Sequence, residues 1–431
     1  MSTTVAAPRY RVIDRSRVSS VSLDEQLPDD HVVRLLWDFV RQLDLTAFQR
    51  PAKAVQGRPG APLIPTELLF ALWLFATIEG VASARLLTEK CTRDLPYQWL
   101  CGGRAVNYHS LADFYADHGV ALHDQFVEHI AALRHQSLIT LTQVTLDGRK
   151  ITANASKDCY RREGTLQQHL DEAAEHLRQL ETQRDGAASA GQAAARRRGG
   201  RDRHARLQRA LAVVRQRQEH RRQTNRQASK PEEARANETD PDVAKMKMPD
   251  GGYRQAYNVE TVTDVGSGLI VTVAVTNQGS DNGQLGVLMD QLEREQHTLP
   301  QTVLTDSGFA DLQDVERLEQ KQVQVLMPPK NEKQEQKEGR DPFTRKRRDS
   351  DAVAAWRARM GEAATRQQYR RRAPVAEGVH AQQANRGWRR FRLRGLAKAL
   401  IEACWQALAH NVVRLLAQGV ALAGTVRAQP A

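Results

Sequence analysis

The chain has 431 residues, 40% of them hydrophobic, which is enough for two or three domains with cores of their own. Its 63 Lys and Arg outweigh 51 Asp and Glu to give a formal charge of +12, so the first partner to consider is a polyanion. Cys91, Cys101, Cys159 and Cys404 are too scattered for a disulfide framework or a zinc site of paired cysteines, and they fit a reduced, cytoplasmic protein. The longest apolar run, Leu68 to Ile78, is too short to cross a bilayer, and no apolar segment follows the basic N-terminus as a signal peptide would require.

Residues 1–26 read as a loosely ordered basic arm carrying Arg9, Arg11, Arg15 and Arg17. From Asp30, a plausible N-cap, Val33, Leu36, Phe39, Val40 and Leu43 recur at helical spacing. Pro65 opens a second helix that is apolar nearly all round, as a central helix is. Shorter helices are expected after Ser83 and Ser110, and a longer one over Leu122 to Leu133. Residues 27–137 therefore form an all-helical domain, and DNA binding is one of several roles open to it.

The next stretch, VTLDGRKITANAS (Val144 to Ser156), reads as a short strand that ends at Asp147 and turns at Gly148. Asp-Gly is also a common turn dipeptide, so Asp147 alone does not establish a site. Residues 161–236 are helical and charged. Leu166, Leu170, Ala173, Leu177 and Leu180 form one stripe, and Leu207, Leu211 and Val214 form another, as in an antiparallel helical hairpin. Between Arg161 and Lys230 there are 17 Lys/Arg against 8 Asp/Glu, a local excess of +9. That excess suits either a nucleic-acid clamp or a solvated arm.

Strand pattern returns at Ala256–Thr263 and Leu269–Val275, which together read as a hairpin. A helix over Gln284–Arg294 follows, with Asp281 as its expected cap, and then a short strand over Thr302–Thr305 that ends in Asp306-Ser307-Gly308. Another helix and a strand over Val323–Met327 complete a mixed α/β domain over 138–160 and 237–416. Residues 328–350 are charged and poor in apolar groups, which predicts a mobile loop. Pro374 starts a helix that Gly387 stops, a final helix spans Leu396 to Leu416, and 417–431 form a tail.

Between Arg366 and Arg394, Glu377 is the only acid among nine arginines. A solvated surface mixes signs, whereas one carboxylate in a basic groove suits phosphodiester chemistry, with arginines on phosphates and the acid on a cation. Trp388 and Phe391, interleaved with Arg386, Arg389, Arg390 and Arg392, could stack on bases or pack in a core. Asp147, Asp306 and Glu377 together make a three-carboxylate set suited to two Mg²⁺ ions, since hard cations prefer oxygen ligands. Asp240 and Asp242 flank Pro241 and read as a turn, and His380 either touches phosphate or packs. There is no Walker motif and no dinucleotide fingerprint.

The chain resembles the DDE transposases of bacterial insertion sequences over most of its length. The segments that carry the likeness are RLLWDFVRQLDLTAF, the helix from Pro65, DLPYQWLCGG, YHSLADFYADH, LDGRKITANASK, TDPDVAKMK, YRQAYNVETVTD, VLTDSGF and YRRRAPVAEGVHAQQANRGWRRFRLRGL. The resemblance implies an RNase H-like catalytic domain, 138–160 with 237–416, interrupted by the helical insert 161–236. It implies Asp147, Asp306 and Glu377 as catalytic metal ligands, with Mg²⁺ or Mn²⁺ as cofactor. Tyr369, Arg370, Arg371, Arg372, Arg386, Trp388, Arg389, Arg390 and Arg392 are then expected to position double-stranded DNA, both element ends and target. A dimer or larger assembly is expected on DNA, nucleoid-associated in a bacterial cytoplasm. Ala384 stands where many members carry a lysine, and Arg372 to Glu377 is a residue longer than the spacing in some relatives. An inactive DNA-binding descendant and a nuclease without strand transfer are the alternative readings.

Overall fold

A computed structural model describes residues 21–49, 63–182, 190–224 and 230–420. The arm arginines Arg9, Arg11, Arg15 and Arg17 and most of the tail lie outside them.

The N-terminal part is a set of helices. These are α1 (Leu23–Gln26), α2 (Val32–Val40), α3 (Thr66–Ile78), α4 (Ala84–Arg93), α5 (Leu95–Cys101), α6 (Tyr108–Asp117) and α7 (Gly119–His135). Ser83 caps α4 as the sequence suggests. The cap of α2 is His31 rather than Asp30, its ring nitrogen accepting from the Val33 N–H at 3.1 Å. Likewise Asn107, not Ser110, starts α6. The apolar run forms α3, buried from Phe70 through Thr77, because helices pack on every side of it. Among the described residues no helix is long and apolar enough to cross a membrane.

Strand β1 (Gln143–Thr152) follows, and it corrects the expectation of a strand ending at Asp147. It continues because the facing strand keeps pairing with it to Thr152, so Gly148 lies within the ladder and turns nothing. Next come β2 (Tyr160–Arg161) and the two insert helices, α8 (Glu163–Thr182) and α9 (Ala190–Thr224). They run antiparallel: Glu163 meets Arg215 at one end and Glu181 meets Arg201 at the other. Leu166, Ala173, Leu207, Ala210, Leu211 and Val214 form a small core of their own. A two-stranded neck closes the insert, β2 pairing with β3 (Ala236–Asn237).

The remaining elements are β4 (Ala244–Lys247), β5 (Tyr253–Asp264), β6 (Ile270–Thr276), α10 (Gln284–Gln296), β7 (Thr302–Leu304), α11 (Leu312–Gln320), β8 (Gln324–Leu326), α12 (Glu332–Lys337), α13 (Asp351–Gly361), α14 (Ala363–Tyr369), α15 (Arg372–Asn385) and α16 (Leu396–Ala417). The main sheet runs β4-β5-β1-β7-β8, with β6 also on β5. β5 is antiparallel to β1, while β1, β7 and β8 are parallel. The fold is therefore mixed α/β.

Two sequence expectations fail in this half. Residues 328–350, expected as a mobile loop, contain α12 and are tied down by ion pairs from Arg366 to Glu332, Lys346 to Glu335 and Arg357 to Asp349. The last pair is buried with Nε and Oδ2 2.6 Å apart, so charge here is spent within the fold rather than on solvent. Asp281 does not cap α10, whose first turn follows Gly283 without a side-chain cap.

α16 joins the two halves. Trp405 packs on Phe70 of α3 and Tyr115 of α6, with ring centroids 4.9 and 6.0 Å away, while Asn411 exchanges hydrogen bonds of 2.8 Å with the Ile270 backbone of β6. The helical domain and the sheet therefore share one continuous core.

Candidate active site

Asp147 and Asp306 stand where two neighbouring parallel strands part. The β1–β7 pairing ends at Thr145 opposite Leu304, and two residues on from each lies an aspartate. Beyond that point β1 is still held by β5, but β7 has left, so the two aspartates stand where the parallel pair separates, on the C-terminal side of β7, the side on which open α/β sheets place their ligand sites. A helical turn at Ser307–Phe309 begins at once after Asp306, whose Oδ1 accepts from the Gly308 N–H at 2.7 Å.

One guanidinium bridges the two acids. Nη2 of Arg372 lies 2.9 Å from Asp147 Oδ1 and 3.1 Å from Asp306 Oδ2. On the other side of Asp147, Nε2 of His380 lies 3.1 Å from Oδ2. Both partners come from α15, which packs on β1, and Pro374 sits in its first turn, where a missing N–H costs no hydrogen bond. Arg149 fixes the helix further, donating to the carbonyls of His380 at 3.2 Å and Trp388 at 3.1 Å. Burial works against the charge on Asp147, but His380, Arg372 and the Gly148 N–H outweigh it and hold the carboxyl below its usual range. At Asp306 burial prevails, with help from Asp147 and Asp281 and against Arg372, so its carboxyl is pushed up.

Two further acids stand beside this pair: Glu260, which the sequence did not single out, and Asp281, expected only as a helix cap. Glu260, on β5, is fully buried, and burial together with Asp281, Asp147 and Asp306 pushes its carboxyl up to about 9. Asn258 Nδ2 donates to Glu260 Oε1 and to Asp281 Oδ1, each at 2.5 Å. Gly148 is needed for this crowding. A Cβ there would come within 2.7 Å of both Asp281 Oδ1 and Glu260 Oε2. The available signal was an acid inside the strand run AYNVETVT, because Glu is almost never fully buried without a specific reason.

Glu377 is exposed, one turn before His380 on α15, and forms no ion pair among the described residues. Among those residues no three His, Cys, Asp or Glu side chains form a group able to hold a metal as they stand. The structure brings Asp147 and Asp306 together and does not gather Glu377 with them. Even so, two hard oxygen donors already sharing one positive charge form a seat whose chemistry fits a divalent cation.

The remaining predicted residues divide into three groups. Arg370, Arg371, Arg389 and Arg390 are exposed, Arg371 bonding Gln143 Oε1 at 2.9 Å. Tyr369, Arg386 and Arg392 are half-buried. Trp388 is the correction: it is 1% exposed and packs edge-on against Phe391 with centroids 5.5 Å apart, so it fills core space and is not available to stack on a base. This segment follows β1 closely. Thr152 bridges to Arg390, and the Phe391 N–H donates to the Thr152 carbonyl at 2.8 Å, which leaves Arg389 and Arg390 facing outward at the sheet end. Asp240 and Asp242 are structural. Asp240 accepts from the Tyr257 hydroxyl at 2.7 Å, and Asp242 holds Arg209 of the insert at 3.1 Å and the Leu396 N–H at 3.2 Å.

Two family models match the chain: "Transposase DDE domain" over residues 232–412 and "Transposase domain (DUF772)" over residues 21–117. The first spans Asp306, Arg372 and Glu377, and the second covers most of the N-terminal helices. No curated protein and no solved structure matches. The sheet order and the DDE match agree on an RNase H-like catalytic domain carrying a helical N-terminal region.

Proposed function

Because the chain belongs to the DDE transposases of insertion-sequence type, we propose that it cleaves phosphodiester bonds at the terminal inverted repeats of a mobile element and joins the freed 3′ ends to target DNA. The observation that carries this reading is the pair Asp147 and Asp306, where the parallel pairing of β1 and β7 stops, sharing one guanidinium. Phosphodiester transfer needs positive charge where oxygens attack and leave, and a place for such charge between fixed oxygen ligands is what this pair offers.

Asp147 and Asp306 would hold Mg²⁺, or Mn²⁺ in its place, with Glu377 as the third carboxylate once its exposed side chain turns toward them. Bound there, one or two such ions supply Lewis-acid stabilisation of the attacking and leaving oxygens. The chain's own residues do the rest. His380 orients Asp147 through its 3.1 Å contact. Arg370, Arg371, Arg389 and Arg390 offer exposed guanidinium groups to the phosphates on either side of the scissile bond, with Tyr369, Arg372, Arg386 and Arg392 closer in. The insert adds a second basic surface along the duplex, and two ends are engaged by a dimer or larger assembly.

The test is cleavage and joining of DNA that carries the element's ends, with Mg²⁺, comparing wild type with Asp306→Ala. Wild type cuts and joins while the variant does neither. Equal signals from the two would leave a DNA-binding protein without chemistry, and cutting without joining would make it a nuclease.

A further inference from the structure

We infer that Arg372 is a resident counter-ion which holds the place of a divalent cation between Asp147 and Asp306, and that DNA phosphate draws it off, so that nucleic acid and metal bind cooperatively. The inference rests on the proposal that these two aspartates hold the metal.

Three observations support it. The same nitrogen, Nη2, touches the facing oxygens of both acids, at 2.9 and 3.1 Å. A divalent ion would have to approach those oxygens to roughly 2.0–2.1 Å. Guanidinium and metal cannot share that space, because two like charges would then lie within about 3 Å of one another at a partly buried site. Second, the guanidinium is not locked from elsewhere: its buried Nε meets no acceptor among the described residues. Third, Arg372 opens α15 directly after a break from α14, and its chain neighbours Arg370 and Arg371 are exposed. A duplex attracted to those two brings phosphate to the residue beside them. Phosphate offers the planar fork a two-oxygen acceptor as good as the carboxylates it leaves, and the departure exposes the aspartate oxygens to a metal.

The role is one of positioning: Arg372 keeps two like charges together in the free protein and releases them on demand. Without it, the repulsion between Asp147 and Asp306 makes a bound cation more favourable at their facing oxygens. Removing the guanidinium should therefore tighten metal binding in the absence of DNA, the reverse of what loss of a supporting residue would do.

The experiment measures Mn²⁺ binding to the full chain by electron paramagnetic resonance of the free ion, with and without a short duplex of arbitrary sequence at low salt. Wild type, R372Q, R372K and the double variant D147N/D306N are compared, and the double variant with duplex sets the baseline for ions held by DNA itself. R372Q should bind Mn²⁺ about tenfold more tightly than wild type without DNA, within the usual range of coupling between sites. Duplex should tighten wild type by a similar factor and leave R372Q unchanged, and R372K should respond to duplex as wild type does. Equal or weaker binding by R372Q, or equal tightening of both by duplex, overturns the inference. Should R372Q not fold, wild type alone decides, because no tightening by duplex overturns it. If D147N/D306N binds Mn²⁺ as wild type does, the failure lies instead with the assignment of the metal ligands.

Discussion

The end of the sheet and the helical insert both carry charge, and they use it in opposite ways. At the sheet end, one guanidinium bridges Asp147 and Asp306 while Glu260 and Asp281 crowd beside that pair, and Glu260 is buried outright. Along α8 and α9, arginines outnumber acids, yet the pairs they form with Glu163, Glu181 and Glu219 lie largely at the surface. Exposed pairs of that kind contribute little to stability and leave their partners free to exchange for phosphate. Like charges gathered in a partly buried place are costly, and a fold keeps them where chemistry needs them. Burial and crowding, more than the number of charges, separate the site from the binding surface.

The largest effect that would break this contrast is on catalysis. D147N or D306N should lower cleavage of end-bearing DNA by more than about 100-fold, since even residues that only support metal ligands cost 10–100-fold when removed. Duplex affinity measured without metal should stay near wild type. A variant that still cuts would remove the sheet end from the chemistry. Next in size is the insert's own core: Leu166→Ala, at a fully buried position, should cost about 2–5 kcal/mol locally. Hydrogen exchange should then show α8 and α9 losing protection while β1 and β5 keep theirs. Equal loss in all four would show that insert and sheet unfold as one unit.

A smaller effect separates the two uses of arginine. Arg198 and Arg203 are exposed on α9. Replacing both with Gln should reduce the slope of log affinity against log salt by about 2, as for two lost phosphate contacts, with cleavage at saturating DNA unchanged. An unaltered slope would make the insert a solvated arm. The smallest effect is on pH dependence. Glu260 keeps its proton in the fold up to about 9 but loses it near 4.5 when unfolded, so the folded state binds the extra proton across that window and stability falls as pH rises through it. Glu260→Gln should flatten that fall in denaturant titrations, whereas Glu163→Gln in the insert should not.

The sequence revealed the elements whose pattern is local. The insert hairpin, the apolar α3 and the strand just before Asp306 follow from periodicity, and the expectation that Asp147 and Asp306 meet came from their oxygen-donor chemistry and was reinforced by the family resemblance. What it hid depends on partners distant in the chain. Asp147 looked like the end of a strand because Asp-Gly favours turns, but pairing with β5 overrides that preference. Asp281 looked like a helix cap until Asn258 and Glu260 turned out to be its neighbours. The segment 328–350 looked mobile because its charges are satisfied by residues on α13 and α14 that composition cannot foresee. Trp388 sits among arginines in the chain and inside the core in space.

On the proposed function, the cation binds between Asp147 and Asp306. Replacing Mg²⁺ with Fe²⁺ and adding ascorbate generates radicals that cut the polypeptide backbone next to the bound ion, and the fragments can be mapped by mass spectrometry. Cuts clustered around residues 147 and 306, and lost in D147N/D306N, are the predicted result; cuts elsewhere, or the same cuts in the double variant, would contradict it.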